Sequence, residues 1–117
     1  MGLLEEMKTM GISVDEALVD RFMGNASLYE RMLKKFPAMI KDLTVQPDFD
    51  GNDYTDIIEK AHAIKGATGN LSIDPLYKPY TEIVNLLREG KPEEAREILK
   101  KVLPVQDEIV QCIEKYM

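Results

Sequence analysis

Apolar residues recur at spacings of three and four along most of this chain. The three clearest stripes comprise Tyr29, Met32, Leu33, Phe36, Met39, Ile40 and Leu43; Leu76, Tyr80, Ile83, Val84 and Leu87; and Ala95, Ile98, Leu99, Val102 and Leu103. Such spacing gives an α-helix one apolar face. No comparable run alternates strictly between apolar and polar residues, as a half-buried strand would. The chain is therefore predicted to be all-α.

Capping residues, glycines and prolines mark where these helices begin and end. Ser13 with Glu16 fits the capping box, in which each side chain bonds the other residue's free backbone N–H, and Ser27 with Glu30 fits it as well. The remaining boundary signals are Gly24–Asn25, Asp53, Asp74–Pro75, Gly90 and Pro92. The predicted helices span about 14–23, 28–44, 54–71, 75–89 and 92–115, with a further short helix near 3–10.

Proline interrupts three of these helices without ending the apolar pattern. Pro37, Pro79 and Pro104 each remove a backbone donor, and we expect them to kink the chain locally. The stripes continue through Pro37 and Pro79, so those helices are kept whole. Short connections between long amphipathic helices then predict an antiparallel up-and-down bundle, with a four-helix core plus an additional N-terminal helix.

Composition limits what such a bundle does. The chain has 117 residues, 21 acidic and 15 basic, and its net charge of −6 argues against a nucleic-acid binder. Its one cysteine, Cys112, forms no internal disulfide and fits a reducing compartment, where it is expected to serve packing. No signal peptide or membrane-spanning run is visible. These features predict a single cytoplasmic domain over residues 1–117.

The predicted helix over residues 53–71 carries an unusual polar face. At 100° per residue, one side gathers the apolar positions Ile57, Ala61, Ile64, Thr68 and Leu71. The other side gathers Thr55, Ile58, Glu59, His62, Lys65, Gly66 and Gly69. His62 is the only histidine and lies near the centre of this face. A glycine inside a helix costs about 1 kcal/mol relative to alanine, so two of them here predict a bare groove that another protein can approach.

This combination of side chains suits phosphoryl chemistry. A neutral imidazole is a good nucleophile at cytosolic pH, and Lys65, one turn from His62, can offset the charge of a phosphoryl group. The sequence has no Walker-type glycine-rich loop for a nucleotide. A partner would therefore have to bring both the phosphoryl group and any metal.

The segment from Ala61 to Leu71, AHAIKGATGNL, resembles the signature of histidine phosphotransfer (HPt) domains. The segment from Gly11 to Phe36, which includes Phe22-Met23-Gly24-Asn25 and Leu28-Tyr29, is similar to the opening helices of bacterial members. The resemblance covers roughly Gly11 to Ile113. It implies a helical bundle whose exposed histidine carries a phosphoryl group between receiver-domain aspartates. Two departures are Ser72, where the family usually has glycine, and Pro79, in a helix that is usually continuous.

The resemblance also implies roles and partners. His62 would be the phosphoacceptor, reacting through its outer nitrogen Nε2, Lys65 would steady the phosphoryl group, and Gly66 would leave room for the docking receiver. Receiver domains of response regulators and a hybrid histidine kinase would be the partners of a monomeric phosphocarrier in two-component signal transduction. Mg²⁺ would belong to the receiver, so no cofactor of this chain is expected. The expected docking surface comprises Ile58, Glu59 and Gly69 around the histidine, with Lys34, Lys35 and Ala38 on the preceding helix.

Two other interpretations stay open. The bundle could dock a receiver or kinase without carrying phosphate. The acidic segment from Asp48 to Glu59 could also bind calcium, since Asp48, Asp50, Asn52, Asp56 and Glu59 occupy ligand positions of an EF-hand loop. Asp53 stands where that loop requires glycine, which favours a plain turn and helix start instead.

Overall fold

Six helices and no strand make up the part of the chain that the computed structural model describes, residues 2–47 and 54–117. The helices are α1 (Leu3–Thr9), α2 (Val14–Asp20), α3 (Ala26–Leu43), α4 (Thr55–Asn70), α5 (Asp74–Arg88) and α6 (Pro92–Glu114). The all-α prediction is confirmed, and the largest boundary error is at α2, which ends at Asp20 instead of residue 23. The predicted cap Asp53 and most of the acidic segment lie outside the described residues.

Helices α3 to α6 contact one another in a closed ring, as a four-helix core requires. The Tyr29 hydroxyl at the start of α3 donates to the carbonyl of Leu71, just after α4, over 2.5 Å, so these two helices are antiparallel. The chain leaving α3 runs towards the start of α6, since Gln106 donates to Thr44 at 2.8 Å and Arg96 donates to the Pro47 carbonyl at 3.1 Å. The core is therefore an up-and-down bundle.

The two short N-terminal helices pack against the end of the bundle where α4 turns into α5. The backbone N–H of Ser13 donates to the carbonyl of Ser72 at 3.2 Å. Leu3 and Met7 of α1 are buried in the core. The predicted additional N-terminal helix is thus one of two, and both α1 and α2 are tied to the rest of the bundle.

The two predicted capping boxes are wrong. Ser13 precedes α2, but its hydroxyl bonds Asp74 of α5 at 2.5 Å instead of capping its own helix. Helix α3 begins earlier than predicted, because Asn25 is its N-cap and accepts from the Leu28 N–H at 3.0 Å. Ser27 therefore lies inside the first turn, where its backbone is already helical and it has no capping role.

The three prolines lie inside continuous helices, so α3, α5 and α6 are whole as predicted. Among the residues that the structure describes, Thr68 and Gln106 are polar and buried in the core, and both are hydrogen-bonded. Gln106 accepts from the Tyr80 hydroxyl, and burial raises the pKa of Tyr80 above its usual range. No helix in the described ranges is both long and apolar enough to cross a bilayer.

Candidate functional site: an exposed histidine on the fourth helix

Helix α4 has the two faces that its sequence predicts. Ala61, Ile64 and Thr68 have no exposed surface and pack in the core. His62 and Gly66 are exposed on the opposite side, and Lys65 is half-buried between the two faces. The buried hydroxyl of Thr68 donates within its own helix, to the Ile64 carbonyl at 2.9 Å, so the core face needs no outside polar partner. The imidazole is therefore presented on a rigid, well-packed helix.

The end of α4 is a tight turn of the Schellman type. The N–H of Ile73 donates to the Thr68 carbonyl at 2.8 Å, and the N–H of Ser72 donates to the Gly69 carbonyl at 3.2 Å. Ser72 adopts φ +55°, in the left-handed region that favours glycine. A non-glycine residue there costs roughly 1–2 kcal/mol. The turn nonetheless forms, and it directs α5 back along α4.

The glycines of the polar face have different surroundings. A Cβ on Gly66 would meet no atom within 4 Å, so this position is open as predicted. A Cβ on Gly69 would lie 3.0 Å from Cε2 of Tyr77 on α5. The prediction of one bare groove along both glycines is therefore wrong at Gly69, because Tyr77 covers it.

A cleft of about 210 Å³ surrounds the histidine. Its lining comprises His62, Lys65, Gly66, Gly69 and Asn70 of α4, Arg21 after α2, and Tyr77 of α5. The cleft thus brings together four residues that the helical pattern predicts for this face. It adds Arg21, Asn70 and Tyr77, which the sequence analysis missed.

Two positively charged side chains, Lys65 and Arg21, line the cleft. Neither Lys65 nor Arg21 forms an ion pair with any residue in the described ranges, whereas Lys60 on the same helix pairs with Asp56 at 3.3 Å. The side chain of Arg21 makes one hydrogen bond, from Nη1 to Oδ1 of Asn70 at 3.4 Å. The cleft is therefore a place where two positive charges are available to an anion.

The other predicted docking residues are spread around the site. Ile58 is half-buried and Glu59 is exposed, one turn before His62. On α3, Lys35 lines a separate apolar groove of about 360 Å³, whose other lining residues are Phe22, Met32, Phe36, Met39, Ala67, Asn70 and Leu71. Lys34 and Ala38 line neither this groove nor the cleft. The structure thus connects Lys35, through Asn70, to the histidine site.

Within residues 2–47 and 54–117, no group of three or more histidine, cysteine or acidic side chains is placed to hold a metal ion. The calcium hypothesis falls mainly on residues outside this range. No protein-family model matches the chain, and neither the curated proteins nor the solved structures contain a match. The cleft at His62 is therefore the feature from which a function must be argued.

Proposed function

We propose that this protein is a phosphorelay intermediate, in which His62 accepts a phosphoryl group from the aspartate of one receiver domain and passes it to another. One observation carries the proposal. The single imidazole of the chain is exposed at the middle of α4, beside an open glycine and two cations that form no ion pair with any described residue. The resemblance of the segment around His62 to histidine phosphotransfer domains supports the same role.

The proposed reaction is an in-line transfer between an acyl phosphate and a nitrogen. A lone pair of the His62 ring attacks phosphorus, the P–N bond forms, and the P–O bond to the receiver's aspartate breaks. The aspartate leaves as a carboxylate. The proton on the other ring nitrogen passes to solvent if the phosphorylated ring becomes neutral. The reverse sequence delivers the phosphoryl group to the second receiver.

This chain would supply position and charge. Lys65 lies one helical turn from His62 and forms no ion pair with any described residue, so its ammonium can contact a phosphoryl oxygen. The open space over Gly66 allows a receiver to approach the imidazole closely. The acidic pocket and Mg²⁺ that phosphoryl transfer needs would come from the receiver.

The neighbouring groove favours a docking contribution as well. It is lined mainly by apolar side chains and reaches the histidine cleft at Asn70. Lys35 at its edge has no ion-pair partner among the described residues and would suit an acidic rim on a receiver. A protein that only docks there, without carrying phosphate, is the second candidate function. A cytoplasmic location fits both.

The His62→Gln variant distinguishes the two candidate functions, because it removes the nucleophile and keeps a polar side chain of similar size. Receiver domains from the same genome would be labelled with radioactive acetyl phosphate and mixed with each form of the protein. A carrier takes label in the wild type and none in the variant, although both bind the receiver. A docking module takes no label in either form.

A further inference from the structure

We infer that Arg21 is a second phosphoryl-binding cation of this site: its guanidinium leaves Asn70 and closes on the phosphoryl group when His62 is phosphorylated. The inference deepens the proposed function and depends on His62 being the acceptor. It concerns a residue far from His62 in sequence, which the fold places at the cleft beside Asn70 of α4.

The backbone at Arg21 is well anchored. Its N–H donates to the Ala17 carbonyl at 2.9 Å and ends α2. The next residue, Phe22, packs its ring against Tyr29 of α3, with ring centroids 4.9 Å apart. The side chain of Arg21 is nevertheless exposed. A fixed backbone with a long, exposed side chain allows the guanidinium to reorient without moving the helix.

The present contact of Arg21 is weak enough to exchange. The hydrogen bond to Asn70 is long, at 3.4 Å, and its acceptor is a neutral amide. A guanidinium binds phosphate oxygens through two parallel, charge-assisted bonds, which are roughly twice as strong as neutral ones. The cleft extends from His62 to Asn70, eight residues or about 12 Å along α4, with Lys65 in between. Reorientation of Arg21 towards His62 would bring both cations to the same group.

Charge balance gives a reason for a second cation. A phosphoryl group adds a charge of about −1.5 to −2 at neutral pH, which Lys65 alone does not neutralise. Carboxylates are also close by, because Glu16, Asp20 and Asp74 line an adjoining cavity of about 490 Å³ that shares Arg21, Gly69 and Tyr77 with the cleft. Arg21 stands at the boundary between these carboxylates and the histidine. It is therefore placed to shield a phosphoryl group from them.

The test uses the intact protein and needs no receiver. Phosphoramidate transfers its phosphoryl group to imidazole, forming the P–N bond to histidine and releasing ammonia. Since His62 is the only histidine, one phosphohistidine forms. The pKa of its phosphoryl group would be measured by ³¹P NMR titration in the wild type, Arg21→Ala, Arg21→Lys and Arg88→Ala. Arg88 is an exposed arginine at the end of α5, outside the cleft, so its variant makes the same change in net charge.

We expect Arg21→Ala to raise the phosphoryl pKa by about half a unit or more, because loss of a nearby cation disfavours the doubly charged form. Arg21→Lys should bring the phosphoryl pKa part of the way back to the wild-type value, and Arg88→Ala should leave that pKa unchanged. The Nε–H signal of Arg21 should also move on phosphorylation. An unchanged pKa in Arg21→Ala, or equal shifts in the Arg21 and Arg88 alanine variants, would overturn the inference, as would a wild type that phosphoramidate leaves unmodified.

The outcome is separable from that of the proposed function. If no receiver exchanges phosphate with the protein but the pKa shift appears, the relay fails and the cation pair stands. If receivers do exchange phosphate and the shift is absent, the relay stands and Arg21 has no part in binding the phosphoryl group.

Discussion

The charged side chains of the cleft at His62 and of the cluster around Glu6 differ in how they are paired. Glu6 of α1 accepts hydrogen bonds from Lys115, Cys112 and Tyr116 at the end of α6, at 2.8, 2.9 and 2.7 Å for the shortest contact of each. These bonds, led by that of Cys112, lower the pKa of Glu6 from 4.5 to about 2. In the His62 cleft the cations have no acidic partner in the described structure.

The difference contrasts a polar cluster that links two helices with a cleft to which the proposed function assigns binding. Each of the three side chains around Glu6 already donates to it, so the cluster ties the first helix to the last. The two cations of the histidine cleft, in contrast, form no ion pair with any residue that the structure describes, and Arg21 donates to a neutral amide, that of Asn70. Charge that is exposed and unpaired is available for recognition, whereas charge that is paired contributes to the fold.

The largest expected effect concerns the one thiol. Burial, together with the neighbouring Glu6, raises the pKa of Cys112 from 9.0 to about 11. At pH 8 the thiolate fraction should therefore be about a hundredfold below that of an ordinary cysteine, and alkylation by iodoacetamide should slow in proportion. Mass spectrometry over time measures the rate. Glu6→Ala should speed the reaction, and fast alkylation of the wild type would show that this cluster is a reactive site.

Replacing one lysine in each region by alanine distinguishes the His62 cleft from the cluster around Glu6 most clearly. Lys65→Ala should lower the rate of phosphoryl transfer about tenfold to a hundredfold, because it removes a cation that stabilises the phosphoryl group in the transition state. It should leave the melting temperature nearly unchanged. Lys115→Ala should lower the melting temperature and leave the transfer rate nearly unchanged, since Glu6 is the one carboxylate that Lys115 pairs with in the described ranges. Transfer rates and thermal melts of both variants check this. Equal losses of transfer in the two variants would contradict it.

The two glycines of α4 form a second matched pair. Gly66→Ala should raise the free energy of unfolding by about 1 kcal/mol, since a helix interior favours alanine and nothing lies within 4 Å of the added methyl group. It should nonetheless slow transfer from a docked receiver. Gly69→Ala should gain less stability, because its methyl group would meet Tyr77. Urea denaturation with transfer assays compares them, and an unchanged transfer rate in Gly66→Ala would remove the proposed role of that position.

The smallest effect is a pH dependence of stability from Glu6. Its folded pKa of about 2 lies below the ordinary 4.5, so its stabilising contribution is complete above that ordinary value and is lost as pH falls from 4.5 towards 2. Glu6→Gln lacks this contribution. The stability difference between wild type and variant should therefore shrink across that window, as measured by urea denaturation. A difference independent of pH would argue against the depressed pKa.

Periodicity predicted the parts of this structure that depend on one helix at a time. The exposed position of His62, with Ala61 and Ile64 buried behind it, follows from 100° per residue alone. The start of α3 could not be predicted in this way, because Asn25 and Ser27 are both good N-caps. The choice between them depends on the preceding turn, where Met23 and Gly24 adopt positive φ.

Contacts between helices could not be predicted from the sequence. The hydroxyl of Ser13 was expected to cap α2, but it donates to Asp74 of α5 at 2.5 Å. Arg21 and Tyr77 enter the cleft for the same kind of reason, since each is supplied by a different helix. An exposed arginine and a tyrosine in the first turns of α5 carry no local sequence signal that they will lie in one cleft.

The most direct test of the central claim is to locate the phosphoryl group after contact with a phosphorylated receiver. Peptide mapping by mass spectrometry under mildly alkaline conditions should find one phosphoryl group per chain, on the peptide that contains His62. That modification should be lost in acid and kept in base, as a phosphoramidate bond requires. Label that stays on the receiver or is released as inorganic phosphate, with the His62 peptide unmodified throughout, would contradict the account.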